Sequence, residues 1–221
     1  MNDSDVNMRS LCSFQLYSIL ISDKIRPPRG IVRWCEEMQL SDADIKTALT
    51  FAKKCSSAVF DHVFQFKIVT QILPTNKYLQ RYRVKDSNAC TRCLLDTIDT
   101  VVHSTWSCPR VSPYIMHIIQ YLKIEGRIGV DINFKNYIFG FPGQDKLGLN
   151  KILLQLKKEI FYNWEENVTI VAFFDIFISK VKQLMIKEKH VALSKNSFYK
   201  FQDKWKDFCI IYDFRGPDCE I

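Results

Sequence analysis

The sequence predicts a mainly α-helical protein, with a helical domain that contains a Cys-Cys-His-Cys zinc knuckle and a second helical segment after it. Of its 221 residues, 47% are hydrophobic, which is enough apolar surface for a sizeable core. Glycine and proline number seven each, so most of the chain is free to form regular elements. Apolar residues recur at helical spacing in several stretches.

Breaks in these patterns divide the chain into five parts. Residues 1–40 are a lead with little periodicity, broken at Pro27 and Pro28, and residues 41–122 form the helical zinc-binding domain. Residues 123–149 hold the densest run of glycines and are interpreted as a connecting region. A C-terminal helical segment at 150–210 and a tail at 211–221 complete the division.

The first helices are marked by their end signals. Ser41 is suited to cap a helix with an acidic first turn, and this helix extends through Lys53. Apolar residues at helical spacing then predict a helix from about Ser57 to Leu73, which Pro74 ends.

Two further helices have alternative starting points. Thr75 or Asn76 can cap a short helix that runs through Tyr82 towards the cysteines. After the metal motif, a helix starts either at Pro109, with proline in its first turn, or at Ser112.

The C-terminal segment contains two predicted helices, capped by Asn150 and by Asn167. The second is the longest in the chain, and one stripe of its surface is apolar, which favours burial in the core over a cofactor site. The stripe consists of Ile170, Phe173, Phe174, Phe177, Val181, Leu184 and Met185.

The pattern Cys-x2-Cys-x9-His-x4-Cys is formed by Cys90, Cys93, His103 and Cys108 and predicts one structural zinc ion. Two intervening residues let both thiolates of a tight turn reach one ion, and four protein ligands leave no open position for catalysis. The alternative is that these are four unrelated residues.

The offset between the last two ligands constrains their local structure. On an unbroken α-helix, five residues correspond to a rotation of about 140°. We therefore expect His103 in the last turn of a helical stretch and Cys108 just beyond it, where it can cap the next helix. We also expect the knuckle to be embedded among helices by its apolar side chains, namely Leu94, Leu95, Ile98, Val101, Val102 and Trp106.

Positive charge and aromatic rings surround this motif. The basic residues stand against one acid, Asp86, in a protein of net charge +7. This combination suits phosphate neutralisation and base stacking, although a solvated helix face would look the same. The predicted nucleic-acid-binding residues are Lys77, Tyr78, Arg81, Tyr82, Arg83, Lys85 and Arg92. A second basic stretch spans Lys180–Lys206.

Other classes of function have weaker support. The chain has no adjacent Asp-Asp pair and no glycine-rich phosphate loop, which argues against phosphoryl or nucleotidyl transfer. A nucleophile such as Cys55 beside His62 lacks a third, orienting group. The apolar stretch Leu11–Ile21 is too short and too polar to span a bilayer and lacks a basic leader, so we expect a soluble, intracellular protein. We expect neither a membrane nor a small-molecule substrate among its partners.

The segment from Ile72 to Leu79, followed by Val84–Ser87, the cysteine pair and His103-x4-Cys108-Pro109, resembles the C-terminal zinc-binding region of non-LTR (LINE-type) retrotransposon reverse transcriptases. The similarity is strongest between about Phe64 and Leu122 and is looser in the C-terminal segment.

This resemblance implies that the four Cys and His residues bind zinc and that the region engages template RNA, or single-stranded or target DNA, beyond a polymerase core. Because the polymerase and endonuclease residues of the family are missing here, we expect no catalysis. The alternative is a structural platform that docks on a polymerase core or on another protein.

Overall fold

A computed structural model describes residues 27–124 and 128–208. Helices make up 66% of these residues, and no strand occurs among them, which confirms the mainly α-helical prediction. One antiparallel bridge joins Ala89 and Ile98. The predicted lead up to residue 26 and the predicted tail at 211–221 lie outside the described residues.

Nine α-helices are described, and we number them in chain order: α1 Arg29–Met38, α2 Asp42–Cys55, α3 Val59–Val69, α4 Asn76–Arg81, α5 Ser112–Ile124, α6 Phe134–Phe139, α7 Leu147–Tyr162, α8 Ile170–Ser194 and α9 Phe198–Trp205. A π-helical turn at His103–Ser107 precedes α5, and a 3-10 turn at Lys206–Phe208 follows α9.

Two of the predicted helix starts are confirmed. The Ser41 side chain accepts a hydrogen bond from the backbone N–H of Asp44 at 3.2 Å, and the Asp44 carboxylate accepts one from the backbone N–H of Ser41 at 2.9 Å. This reciprocal capping box satisfies two donors at the start of α2. Of the two candidates for α4, Thr75 is the cap, and its hydroxyl accepts from the N–H of Tyr78.

The predicted caps of the last long helices are wrong. Asn150 lies inside α7, where its buried side chain bonds both the N–H and the C=O of Phe141, at 2.8 and 2.9 Å. The Asn150 side chain therefore fixes the loop before α7 and does not cap the N-terminus of that helix. Thr169, and not Asn167, caps α8 by accepting from the N–H of Ala172 at 3.2 Å.

One hydrophobic core includes residues from Trp34 to Phe208, so the helices before and after the predicted connecting region share it. Helix α2 packs on α3, α6 and α7, while α8 packs on α5, α7 and α9. The interpretation of the α8 stripe as core is confirmed, because Phe173, Phe177, Val181 and Met185 are buried. Within the glycine-rich segment, α6 buries Tyr137, Ile138 and Phe139.

Helix α7 carries lysines into this core. Lys151 is buried and donates to the Asp61 carboxylate and, at 2.8 Å, to the hydroxyl of Ser56. Lys158 donates to the other carboxylate oxygen of Asp61 at 2.6 Å. Burial raises the pKa of Asp61, but the bonds from Lys151, Lys158 and Ser56 outweigh that effect and lower it to about 2.

Lys157 is fully buried on the same helix without a carboxylate partner among the described residues. Its ammonium donates to the Gln65 side chain at 2.8 Å and lies 5.1 Å from the centre of the Phe51 ring. Burial lowers the pKa of Lys157 to about 7, because the charged form loses its water.

None of the helices in the described ranges is both long and apolar enough to cross a membrane.

Candidate metal centre and adjoining basic surface

The four predicted ligands come together in space. One potential ligand atom from each of Cys90, Cys93, His103 and Cys108 lies within 4.8 Å of the other three. Such a cluster can hold a metal ion, and its three sulfurs and one imidazole nitrogen match the donor sets of structural metal sites.

Two separations within the cluster are close to those of a tetrahedral site around one ion. Metal–sulfur bonds of about 2.3 Å and metal–nitrogen bonds of about 2.0–2.1 Å at the tetrahedral angle place two sulfurs about 3.8 Å apart, and a sulfur and a nitrogen about 3.6 Å apart. The sulfurs of Cys90 and Cys108 are 4.0 Å apart. The Cys93 sulfur lies 3.5 Å from Nε2 of His103. An ion can therefore enter with small adjustments of the side chains.

The first ligand pair lies on a tight loop. The backbone N–H of Arg92 donates to the sulfur of Cys90 at 3.4 Å. The chain then turns through two left-handed residues, Leu94 at φ 55° and Asp96 at φ 50°. Cys90 N–H donates to the C=O of Thr97 at 2.8 Å, which closes the loop behind the cysteines.

The second ligand pair lies at the two ends of the π-helical turn. The backbone N–H of Cys108 donates to the C=O of His103 at 2.9 Å, a bond that spans five residues. An α-helical turn would direct these residues apart, but this wider turn brings them together. His103 does lie in the last helical turn with Cys108 just beyond it, as predicted, although the π-helical form was not foreseen.

The prediction that Cys108 caps the next helix is wrong. Helix α5 begins at Ser112, so the alternative start at Pro109 is wrong. The C=O of Cys108 instead accepts from the N–H groups of Val111 and Ser112, which forms a turn before α5.

The knuckle is embedded on one side only. Cys90, His103 and Cys108 are buried, Cys93 is half-buried, and Val101 is 5% exposed beside them. The prediction that the loop side chains are also covered is wrong, because Leu94, Leu95 and Ile98 are 81%, 62% and 46% exposed. The apolar side chains of the loop that follows Cys93 therefore face solvent.

Burial and hydrogen bonding set the protonation of the ligands in the absence of an ion. Burial raises the pKa of the Cys108 thiol to about 12, and the neighbouring sulfurs add to this effect. Burial also raises the pKa of Cys93, but hydrogen bonds from the Leu95 N–H and from the other thiols lower it overall. Burial lowers the pKa of His103, which favours the neutral imidazole that a metal requires.

Arg92 connects this loop to α7. Its guanidinium donates to the C=O of Ser104 at 3.0 Å and to the C=O of Phe161 at 3.1 Å. It also lies over the ring of Trp164, 5.6 Å from the centre. The nucleic-acid contact predicted for Arg92 stays a prediction, and two of the five N–H donors of its guanidinium bond to carbonyl groups within the protein.

The remaining predicted nucleic-acid-binding residues lie on and after α4. Lys77, Arg81 and Arg83 are exposed. The rings of Tyr78 and Tyr82 are 4.8 Å apart, and Tyr82 is 59% exposed. The ammonium of Lys85 donates to the Asn76 side chain at 2.7 Å.

A cleft of about 230 Å³ opens beside α4, and it includes residues that the sequence analysis missed. Lys77, Tyr78 and Arg81 line it from one side, and Arg33 and Trp34 of α1 line it from the other. The basic and aromatic dipeptide at 33–34 was the available signal, but it lies in the lead that showed little periodicity.

No protein-family model matches this chain, and a search of curated proteins finds no match.

Proposed function

We propose that this protein is a non-catalytic, zinc-binding module that binds single-stranded nucleic acid along α4. The observation that carries the proposal is the Cys and His cluster next to a cleft lined by cations and aromatic rings. Val101 and Val102 line that cleft, and the ligand His103 follows them in the chain. Zinc holds the loop after α4 in place, and the surface of α4 contacts the ligand.

Zinc is the proposed ion because three thiolates and one imidazole form one of its common structural donor sets. We expect the purified protein to contain one zinc ion per chain, measured by elemental analysis. Cys90→Ser and His103→Ala should each lose the ion, because each removes one of the four ligands. Cys35→Ser is the matched control, since Cys35 is a half-buried free cysteine outside the cluster. Equal zinc content in all four proteins would contradict the assignment.

Nucleic acid is the proposed ligand because of the charges and donors around the cleft. The lining of the cleft contains three basic side chains and one carboxylate. The basic residues are Arg33, Lys77 and Arg81, and the carboxylate is that of Glu37. The ring of Tyr82 is 59% exposed and offers a stacking surface for a base.

Charge reversal tests the proposed surface. Arg81→Glu/Arg83→Glu should weaken binding of single-stranded RNA and DNA by on the order of a hundredfold at low salt and should flatten its salt dependence, because two phosphate contacts are lost. Affinity is measured by fluorescence anisotropy across a salt series.

Lys46→Glu/Lys195→Glu is the control for this test, since it changes the net charge equally at exposed residues outside the cleft. Circular dichroism checks that both variants fold. Affinity that is indifferent to salt, or equal losses in the two variants, would argue against a specific site.

The resemblance to LINE-type reverse transcriptases suggests the biological setting. In that family the corresponding region lies beyond the polymerase core, so we propose template RNA or target DNA as the ligand. The affinities for RNA and for DNA should be compared, because no residue of the cleft selects ribose over deoxyribose.

A docking platform for a polymerase core is the second candidate. Four exposed apolar residues lie on one side of α3, and this stripe favours protein contact: Val59, Phe60, Val63 and Phe66 are 71%, 55%, 43% and 49% exposed. Under this candidate, Arg81→Glu/Arg83→Glu would leave nucleic-acid binding unchanged while the protein stays folded.

A further inference from the structure

A second concavity lies away from the metal centre, with a volume of about 460 Å³. It is bounded by the end of α2, the linker between α2 and α3, and parts of α7, α8 and α9. Its volume falls in the range of about 300–1,000 Å³ that is typical of ligand sites. Six lysines line it, namely Lys53, Lys54, Lys151, Lys187, Lys200 and Lys204, with Glu188 as the one carboxylate of the lining.

We call this concavity the lysine cavity. Its two least exposed lysines, Lys151 and Lys204, are already paired with carboxylates. Lys151 pairs with Asp61, and Lys204 pairs with Glu188 at 2.6 Å. Glu188 also accepts from the indole N–H of Trp205 at 2.9 Å. The carboxylate of the lining is therefore occupied and does not balance the other ammonium groups.

Four lysines remain without an ion pair among the described residues. Lys53, Lys54, Lys187 and Lys200 are exposed, and they come from three different helices. The plainer explanation, that a lysine complements the negative end of a helix, applies to Lys53 and Lys54 in the last turn of α2. It does not apply to Lys187 or Lys200, which lie inside their helices.

The walls between these lysines are partly apolar. Leu184, Val191, Ala192 and Phe201 contribute to the lining. A cleft that is lined by one sign of charge and has apolar walls concentrates the electrostatic field, and it thereby attracts a ligand of opposite charge.

We infer that the lysine cavity binds clustered phosphate groups, either those of a nucleic-acid strand or those of a free polyphosphate. Four ammonium groups around one concavity repel each other, and a ligand with several phosphates relieves that repulsion. This inference is independent of the proposed binding along α4.

Titration with inorganic tripolyphosphate tests the inference on the full chain. Lys187→Gln/Lys200→Gln should weaken binding by at least tenfold, measured by calorimetry at low salt. Lys46→Gln/Lys195→Gln removes the same charge from exposed residues outside the cavity and should change affinity less than twofold. Equal losses, or no binding by the unaltered protein, would overturn the inference.

Lysine acetylation read by mass spectrometry separates the two sources of phosphate. Protection of the four lysines by a single-stranded 20-nucleotide RNA supports a nucleic-acid strand, and protection by tripolyphosphate alone supports a free polyphosphate. If neither protects them while Lys46 reacts normally, the inference is wrong. Arg81→Glu/Arg83→Glu should retain tripolyphosphate binding, so failure of the α4 proposal can be recognised separately.

Discussion

At the scale of single residues, Asp61 balances the charge of two lysines that α7 brings to the core. It accepts from Lys151 and Lys158 of α7 and from Ser56 between α2 and α3. Removing one partner of a buried pair leaves the other charged and desolvated, which costs about 3–5 kcal/mol.

We expect Asp61→Asn to lower the free energy of unfolding by about 3 kcal/mol at pH 7. The lowered pKa of Asp61 stabilises the fold above the unfolded-state pKa near 4, and this stabilisation is lost as the pH falls towards about 2. Urea unfolding should therefore show a difference between the unaltered protein and Asp61→Asn that narrows between pH 4 and pH 2. Both proteins lose bound metal alike in acid, so the difference isolates Asp61.

Asp131→Asn is the control for this prediction. Asp131 pairs with Lys123 at 2.6 Å, but its side chain is 74% exposed. Exposed pairs contribute at most about 1 kcal/mol, so this variant should stay close to the unaltered protein. A similar loss in both variants would contradict the role given to Asp61.

At the scale of elements, the turn after Cys93 is tight because its backbone enters the left-handed region. Leu94 adopts φ 55° although it is a leucine, and its side chain is 81% exposed. The left-handed conformation costs about 1–2 kcal/mol for residues with a Cβ, whereas glycine adopts it freely.

Leu94→Gly should accordingly be more stable than Leu95→Gly by about 1–2 kcal/mol, measured by thermal unfolding with metal bound. Leu95 is the matched control, because it is also an exposed leucine of the same loop but does not have a positive φ. Both variants add the same flexibility to the unfolded chain. Equal stabilities would mean that the turn is not strained.

The same elements show why some features were predictable. Ser41 and its acidic first turn form a signal contained in four residues, and the cysteine spacing is equally local. The partner of Asn150 lies nine residues away, before the helix starts, so its side chain was mistaken for a cap. The exposure of Leu94 and the cleft formed by α1 with α4 depend on how distant helices pack, which periodicity does not encode.

At the scale of the whole molecule, the loop that carries Cys90 and Cys93 and the helical core differ in what holds them together. Buried apolar side chains stabilise α2 and α7, whereas the loop at residues 91–98 exposes Leu94, Leu95 and Ile98. A bound structural ion contributes about 10–16 kcal/mol in small zinc domains, so the loop depends on it far more than the core does.

Removal of the metal should therefore unfold the protein locally. On addition of a strong chelator, amides in residues 88–99 should exchange with deuterium at least about a hundredfold faster, since their hydrogen bonds rest on the metal-held loop. Amides in the middle of α2 and α7 should keep most of their protection. Mass spectrometry of peptides measures both sets at once, and uniform loss of protection would show that the metal holds the entire fold.

The contacts of Arg92 couple the metal-binding loop energetically to the helical core. Its guanidinium joins the loop between Cys90 and Cys93 to the C=O of Phe161 near the end of α7. By thermodynamic reciprocity, if metal binding strengthens the bond from Arg92 to α7, then a change that strengthens this bond raises the affinity of the cluster for an ion by the same factor. Metal affinity can thus be altered by substitutions that never touch a ligand.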